Sequence, residues 1–374
     1  MSWNAWCWTA LVLAAIPFVL GLMNVFFYRA PRKVAEAAPP VSVLVPARNE
    51  QERIRPTIET VLASRDVELE LVIADDHSSD DTVAVVEEYA RADRRVRLVH
   101  VPKLPTGWGG KMHACHFLST QPAHEHAVFL DADVTVSPDA LARLSQALAE
   151  GKSAMVSGLP YQETGSFWEK LLIPQIHVLL LGYLPFIGMR LSTWAAFGAG
   201  CGQVLAVRMK DYHASGGHEA IKHLLHDALQ LARLFRSKGM QTDMVDLTDL
   251  SATRMYDSFV DIWSGFMKNA HEGIATPIAL PIWTVLLAGG HILPVVLLAI
   301  GLIAGLPATL PFIACALLYS FRFLLAWRYR QSLVGALLNP LGIAVMVWLQ
   351  WVALFRKFRG QRVSWRDREY DAQG

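Results

Sequence analysis

The chain has 374 residues, room for two or three domains at about 100 to 200 residues each. Charged residues are 18% where an average soluble domain carries about 25%; mean hydropathy is +0.30, and 34 basic against 33 acidic side chains leave a net charge of +1. That excludes a disordered chain and an ordinary soluble protein, and it removes the basic face that a nucleic-acid partner requires. Cys7, Cys115, Cys201 and Cys315 lie far apart with no CxxC pair, so neither a disulfide framework nor a cysteine zinc site is indicated.

The first charged residue is Arg29, and a helix over the residues before it would be about 42 Å long, enough to span a bilayer. Residues 1–30 therefore read as a membrane anchor with its N-terminus outside, because Arg29, Arg32 and Lys33 follow the apolar run. A cleaved signal peptide is the competing reading, with Ala35-Glu36-Ala37 as its cleavage site, but a basic leading region is missing.

Residues 31–275 hold nearly all the acidic side chains and read as one cytoplasmic domain, entered through a linker from Pro31 to Pro40. Short apolar runs, Val41–Val45, Leu69–Ala74, Val96–Val101 and Ala127–Leu130, alternate with the helical patterns Glu52–Ser64, Asp81–Ala90 and Pro138–Ala149. Strands alternating with helices predict an α/β fold with a mainly parallel, Rossmann-like sheet. Ser137-Pro138 supplies a helix cap and first-turn proline, and Gly151 a stop. Ligands of such sheets gather at the carboxyl ends of the strands. Here those ends carry Pro46-Ala47-Arg48-Asn49-Glu50, then Asp75 to Asp81, then Asp131-Ala132-Asp133. Two carboxylates two residues apart suit a hard divalent ion, Mg2+ or Mn2+, bridged to a diphosphate. An Asp-x-Asp alone also occurs as a loop cap, and Asp75-Asp76 could equally cap the helix that follows.

Val43 to Glu50, Ile73 to Thr82 and Asp131-Ala132-Asp133 together resemble the three successive signatures of family 2 glycosyltransferases with the GT-A fold, over roughly residues 40 to 275. Leu104-Pro105, Gly107-Trp108 and Gly110-Lys111 make it similar to the membrane-bound branch with the hopene-associated and carotenoid-glycosylating enzymes. The resemblance implies that Pro46, Ala47, Asn49 and Glu50 line a nucleotide pocket, that Asp76 accepts a hydrogen bond from the nucleobase, and that Asp131 lies near the ribose or sugar. It implies Asp133 as the ligand of Mg2+ or Mn2+ and Lys111 facing the diphosphate of a UDP- or GDP-sugar; the alternative for Lys111 is a solvated loop lysine.

The family's general base normally sits in an acidic pair opening a helix. The matching stretch follows Gly216-Gly217, at His226-Asp227-Ala228-Leu229-Gln230-Leu231, where His226 replaces the usual acid. Asp227 takes the base position, alone or assisted by a histidine. His213, His218, His223 and His226 crowd the same segment, and a zinc site there is disfavoured against solvated or hydrogen-bonded histidines. Leu171–Met189 is uncharged but cannot cross a membrane, since Asp133 and Asp227 would then lie on opposite sides; an interfacial segment guiding a lipid acceptor is expected, with a buried core as the alternative.

Arg254 and Lys268, flanking the helices that follow, either assist the diphosphate or anchor the chain at the bilayer surface. The Gln-x-x-Arg-Trp motif of processive synthases is missing, which points to one sugar per turnover onto a membrane lipid. A polysaccharide or polyprenyl-phosphate sugar transferase, or a non-catalytic nucleotide-sugar-binding subunit, are the rival readings.

Residues 276–356 hold two or three more spans: Gly273–Phe321 and Gln331–Phe355 lack any Asp, Glu, Lys or Arg. Four spans in all would put the basic tail (357–374) outside. Yet Arg356, Lys357, Arg359, Arg362, Arg366 and Arg368 favour the cytoplasm. A re-entrant or interfacial segment at Asn339-Pro340, where proline interrupts a helix, resolves the conflict.

Overall fold

The computed structural model describes residues 2–270, 272–359, 363–365 and 368–370. Along the chain, α1 (Trp3–Phe27) is followed by β1 (Ala38–Ala47), α2 (Ile54–Leu62), β2 (Val67–Asp75), α3 (Thr82–Ala92), β3 (Val96–His100), α4 (Gly110–Leu118) and β4 (His126–Leu130). Then come β5 (Thr135–Val136), α5 (Ala140–Glu150), β6 (Ser153–Gln162), α6 (Phe167–Leu172), α7 (Gln175–Tyr183), α8 (Phe186–Leu191), β7 (Val204–Arg208), α9 (Met209–Ser215), α10 (Gly217–Ala220), α11 (Asp227–Ser237) and β8 (Gln241–Thr253). The chain continues with α12 (Phe259–Ala270), α13 (Ala279–His291), α14 (Leu293–Ala304), α15 (Thr309–Arg328), α16 (Leu333–Leu337) and α17 (Asn339–Phe358), and short strands at Val363–Trp365 and Arg368–Tyr370.

These elements form two compact units. One is Tyr28–Glu163 with Phe186–Met255; the other is helical and comprises residues 1–27, 164–185 and the chain from Tyr256 onward. The boundary differs from the expected 31–275: residues 164–185 and 256–275 join the apolar helices. Physically, the expected interfacial strip at Leu171–Met189 is packed instead of lying free. Leu171, Leu172, Ile173, Val178 and Leu181 are buried, and Gly182 leaves no room for a side chain beside Pro17 and Phe321.

The α/β unit is built on an eight-stranded sheet in the order β3-β2-β1-β4-β7-β6-β8-β5. The β3-β2-β1-β4 half is parallel, as expected, whereas β7 is antiparallel to both β4 and β6, so the sheet is mixed. Period-two alternation divides each strand between two cores. Val41, Val43 and Val45, with Leu71, Ile73, Val128 and Leu130, face α2, α3 and α5; Leu44, Val72, Ala74, Ala127 and Phe129 face α4, α9 and α11. Each such buried side chain contributes about 1.5–3 kcal/mol of transfer free energy. With both faces covered, the strand ends are the one place where polar side chains can gather without being buried in apolar surroundings.

Two local expectations change. Helix α5 starts at Ala140, after the expected Ser137-Pro138: Ser137 Oγ donates to Asp139 Oδ1 and its carbonyl accepts from the Ala140 N–H, while the helix does stop at Gly151. At the start of α3, Asp80 accepts from the Thr82 N–H (3.0 Å) and hydroxyl (2.5 Å), while Asp75 Oδ1 accepts from the Ser78 N–H at 3.1 Å instead of capping the helix.

In the helical unit, α1, α15 and α17 are each long and apolar enough to cross a membrane, as is the α13–α14 pair taken together across its 45° bend. Trp3 Nε1 donates to Pro307 O, and Gly289 and Gly290 pack on Leu13, so α13–α14 runs antiparallel to α1 along its length. Helix α15 returns parallel to α1, with Phe321 on Gly21. The chain then climbs only part of the way back: Tyr319 donates to Leu337 O, Asn339 meets His291 at the α13–α14 bend, and Trp351 donates to Thr284 further toward the start of α13. Pro340 thus opens α17 instead of breaking it. Arg362 and Arg366 of the expected basic tail lie outside the described residues. Asn24 Nδ2 ties α1 to the end of α7 by donating to Leu181 O (2.8 Å) and Leu184 O (2.7 Å).

Gly158 on β6 faces the Val245 carbonyl and Leu247 so closely that a Cβ has no space. Gly158→Val is expected to lower the midpoint of thermal unfolding by the equivalent of about 1–3 kcal/mol or to prevent folding, measured by fluorescence-detected melting of the detergent-purified chain.

Candidate active site

The ends of β1 and β2 are joined into one rigid loop pair. Ala47 lies opposite Asp75 in the register, and the Asp76 N–H donates to Ala47 O at 2.8 Å. Both loops turn through left-handed residues, Asn49 (φ 54°) and His77 (φ 59°), which only a short polar side chain adopts readily. Asn49 uses its side chain to hold the second loop: its Oδ1 accepts from the Ser79 N–H at 2.8 Å, while its own N–H donates to Ser78 Oγ. The Glu50 N–H donates to Thr82 Oγ1, and Arg48 Nη1 donates to Asp76 O. Pro46 is half-buried, and Ala47, Glu50 and Asp76 are buried. The structure therefore brings all five expected nucleotide-pocket residues of these two loops together, with Asn49 engaged as a brace.

Beyond β4, the Asp131 N–H donates to Gln203 O and Thr57 Oγ1 donates to Ala132 O, so the Asp131-Ala132-Asp133 turn is held from two sides. Lys111 reaches this turn from the first turn of α4, a helix rather than a solvated loop. Its Nζ lies 2.7 Å from Asp131 Oδ1, 2.8 Å from Asp227 Oδ2 and 3.2 Å from Gly202 O. One ammonium thus joins a carboxylate at the end of β4 to a carboxylate at the start of α11.

Asp227 is the first residue of α11, where its Oδ1 accepts from the Ala228 N–H at 2.7 Å. Burial alone would raise its pKa. The Lys111 charge and hydrogen bond, with His218 and His226 nearby, override this and hold it far below the usual carboxylate range. Conversely, burial would lower the Lys111 pKa, and the charges of Asp131 and Asp227 raise it well above normal. Lys111 and Asp227 are therefore both ionised at neutral pH.

Sequence reasoning missed what shapes this corner. Gly198, Gly200 and Gly202 recur every second residue before β7, and a Cβ on Gly202 would sit 2.5 Å from Asp227 Oδ1, one on Gly200 2.7 Å from Ala228 O. Ser157 fixes this glycine strand, accepting from the Cys201 N–H and donating to Val204 O. The Gly-x-Gly-x-Gly pattern was the available signal. Leu191 and Trp194, upstream of the same strand, expose apolar side chains (79% and 72%), and the buried Arg236 holds their loop by donating to the carbonyls of Met189, Ser192 and Trp194.

The histidine cluster does not converge. His218 is buried, its Nδ1 2.8 Å from Tyr212 OH, while His226 occupies the N-cap position of α11. Among the described residues no three His, Cys, Asp or Glu side chains are grouped to hold a metal ion. A Mg2+ or Mn2+ ion characteristically takes one or two protein carboxylates and completes its shell with phosphate oxygens and water. Asp133, half-buried at the strand end, fits that role; Asp131 is committed to Lys111.

Over residues 42–212 the chain matches the model of Glycosyl transferase family 2. That stretch is similar to a family 2 glycosyltransferase domain, and the sheet is that of the GT-A fold. The 4,4'-diaponeurosporenoate glycosyltransferase of Staphylococcus aureus (strain MRSA252) is 26% identical over 241 residues, a match spanning 62% of this chain and 61% of that protein. Among solved structures, the mannosyltransferase PcManGT from Pyrobaculum calidifontis, in complex with GDP-Man and Mn2+, aligns with a TM-score of 0.54 at 18% identity, covering 94% of this chain and 99% of that one.

Burial pushes the His218 pKa down to about 4, with Asp227 opposing. The unfolded chain, with histidine near 6.5, then binds more protons between those values, so stability falls with acidification at up to about 1.4 kcal/mol per pH unit in that window. His218→Phe is expected to flatten this slope in melting curves between pH 7 and pH 4; an unchanged slope would refute the assignment.

Proposed function

We propose that the protein is an inverting, metal-dependent glycosyltransferase that moves one sugar from a UDP- or GDP-sugar to a hydroxyl of a membrane lipid. The observation that carries this reading is the Lys111 ammonium shared between Asp131 and Asp227. It places a cation at the strand end where the diphosphate of a GT-A donor lies, and a carboxylate beside it with one oxygen fixed by the α11 backbone. Pro46, Ala47, Asn49, Glu50 and Asp76 form the wall for the nucleoside, and Asp131 stands toward its sugar side.

The chemistry follows from those groups. The acceptor hydroxyl gives its proton to Asp227, its oxygen bonds to the anomeric carbon, and the bond from that carbon to the diphosphate breaks with the electron pair leaving on phosphate. Asp133 holds the Mg2+ or Mn2+ ion, which supplies positive charge to offset that of the diphosphate. While Lys111 is paired with Asp227 the carboxylate is a weak base. A donor diphosphate competes for the same ammonium, so filling the donor site raises the basicity of Asp227 when an acceptor can use it. Burial of the trio makes that competition worth more than it would be in water.

A lipid acceptor is supported by the apolar helices, by the exposed Leu191 and Trp194 next to the glycine strand, and by the likeness to a diaponeurosporenoate glycosyltransferase. The helical unit also carries exposed Val12, Val19, Ile282, Ile303, Phe312 and Trp327, an outer surface suited to lipid tails. Three crossings, by α1, the α13–α14 pair and α15, follow from their alternating directions. Helix α17 begins alongside the bend and runs back, so it adds no crossing and the basic end of the chain stays on the catalytic side, which the positive-inside rule makes cytoplasmic.

Two measurements test this. Release of nucleoside diphosphate across a panel of UDP- and GDP-sugars, with Mn2+ and membrane lipid extract, should fall by about 10²–10⁴ in Asp227→Asn with donor binding retained, and should be lost in Asp133→Ala. Lys111→Met should raise the donor KM as well as lower kcat. Separately, a protease site added after residue 374 should be cleaved only in inverted vesicles; cleavage in right-side-out vesicles would require a fourth crossing.

A further inference from the structure

Arg322 lies in the middle of α15 and is fully buried within the helical unit. Its Nη1 donates to Gln331 Oε1 at 3.2 Å, while Nε and Nη2 meet no hydrogen-bond partner. Those two nitrogens form one edge of the guanidinium, where two parallel N–H groups match the oxygens of a carboxylate or phosphate. Among the described residues no carboxylate pairs with this side chain. Around it stand His177, stacked on the Tyr329 ring at 4.7 Å with Nε2 unpaired, and Gln331, whose Nε2 is also unpaired. In the same unit His291 meets Asn339 at 3.2 Å and Tyr183 OH at 3.0 Å.

From this geometry we infer that the helical unit binds an oxyanion on the Nε/Nη2 edge of Arg322, and that the oxyanion is the headgroup of an anionic membrane lipid. A buried cation with an open donor edge needs neutralisation as well as hydrogen bonds, and a water molecule supplies only the second. Gln331, whose Oε1 accepts from Arg322 Nη1, has an unpaired NH2 group beside it that can donate to the same anion. A free inorganic anion would have to shed its hydration to reach a site among apolar helices. A headgroup on acyl chains arrives with that cost largely met, and Phe312, Phe323 and Trp327 expose apolar side chains on the same helix for those chains. The inference rests on the membrane-embedded reading of these helices and on none of the roles assigned to Lys111, Asp131, Asp133 or Asp227.

The test uses the full chain in nanodiscs of phosphatidylcholine alone, of phosphatidylcholine with phosphatidylglycerol, and of phosphatidylcholine with inorganic phosphate in the buffer. With phosphatidylglycerol, the thermal midpoint of the wild type should rise by several degrees and native mass spectrometry should show a retained single-lipid adduct. Arg322→Gln should lose both effects, and Arg322→Lys, which keeps the charge without the two-donor edge, should recover part of them. Equal midpoints in all three compositions, or a phosphatidylglycerol shift that survives in Arg322→Gln, would overturn the site. An equal shift from inorganic phosphate would overturn the lipid as its occupant. If Arg322→Gln does not fold, Arg322→Lys decides in its place: a phosphatidylglycerol shift and adduct undiminished in Arg322→Lys would overturn the two-donor site. Failure of the wild type to enter nanodiscs would count against the membrane reading instead.

Discussion

The α/β unit is organised around one ammonium group. Lys111 can reach Asp131 and Asp227 together only if three elements distant in sequence are held within a few ångströms: the first turn of α4, the end of β4 and the first turn of α11. Each is placed by ordinary forces, the strands by their buried aliphatic rows and the helices by packing on one face of the sheet. The charges themselves repel or attract according to that placement. Without the lysine, two carboxylates would face each other in a poorly solvated corner, and one would have to take up a proton. The fold therefore gives Asp131 and Asp227 a single shared counter-charge, and anything that draws the lysine away alters the surroundings of both.

What the sequence made legible follows from where local signals are strong. The parallel half of the sheet was readable because Val41–Val45 and Leu69–Ala74 are uninterrupted aliphatic runs ending in polar turns, and the acidic turn at Asp131 follows a fully buried strand. That a helix opens at Asp227 was readable too, while its contact with Lys111 was not. The other half of the sheet was not. Strand β6 contains Gly158 and Pro160, residues that normally argue against a strand, and the structure shows why glycine is required: the neighbouring strand approaches too closely for any side chain. The glycine strand before β7 was passed over for the same reason, although it shapes the pocket of Asp227.

The helical segments show a complementary limit. Length and hydropathy picked out apolar helices long enough to be candidates and could not order them, because direction is set by contacts between residues far apart in sequence. Asn339-Pro340 did mark the irregularity, yet its physical form, a helix starting beside the bend between α13 and α14, depends on His291 and Thr284, which no local pattern connects to it. Likewise Leu171–Met189 was uncharged for want of water around it, not for want of protein.

The packing of α1 has a consequence for how the molecule is made. Its Trp3 bonds to Pro307, 304 positions later, and its Gly21 receives Phe321. During synthesis α7 is the first of its partners to follow it, whereas its contacts with α13, α14 and α15 wait for the segments made after the α/β unit. The entropy of closing so long a loop grows only with the logarithm of its length. Assembly of the bundle is then completed last, so a ribosome stalled after Met255 would leave α1 with α7 as a partner and with Gly21 still waiting for Phe321.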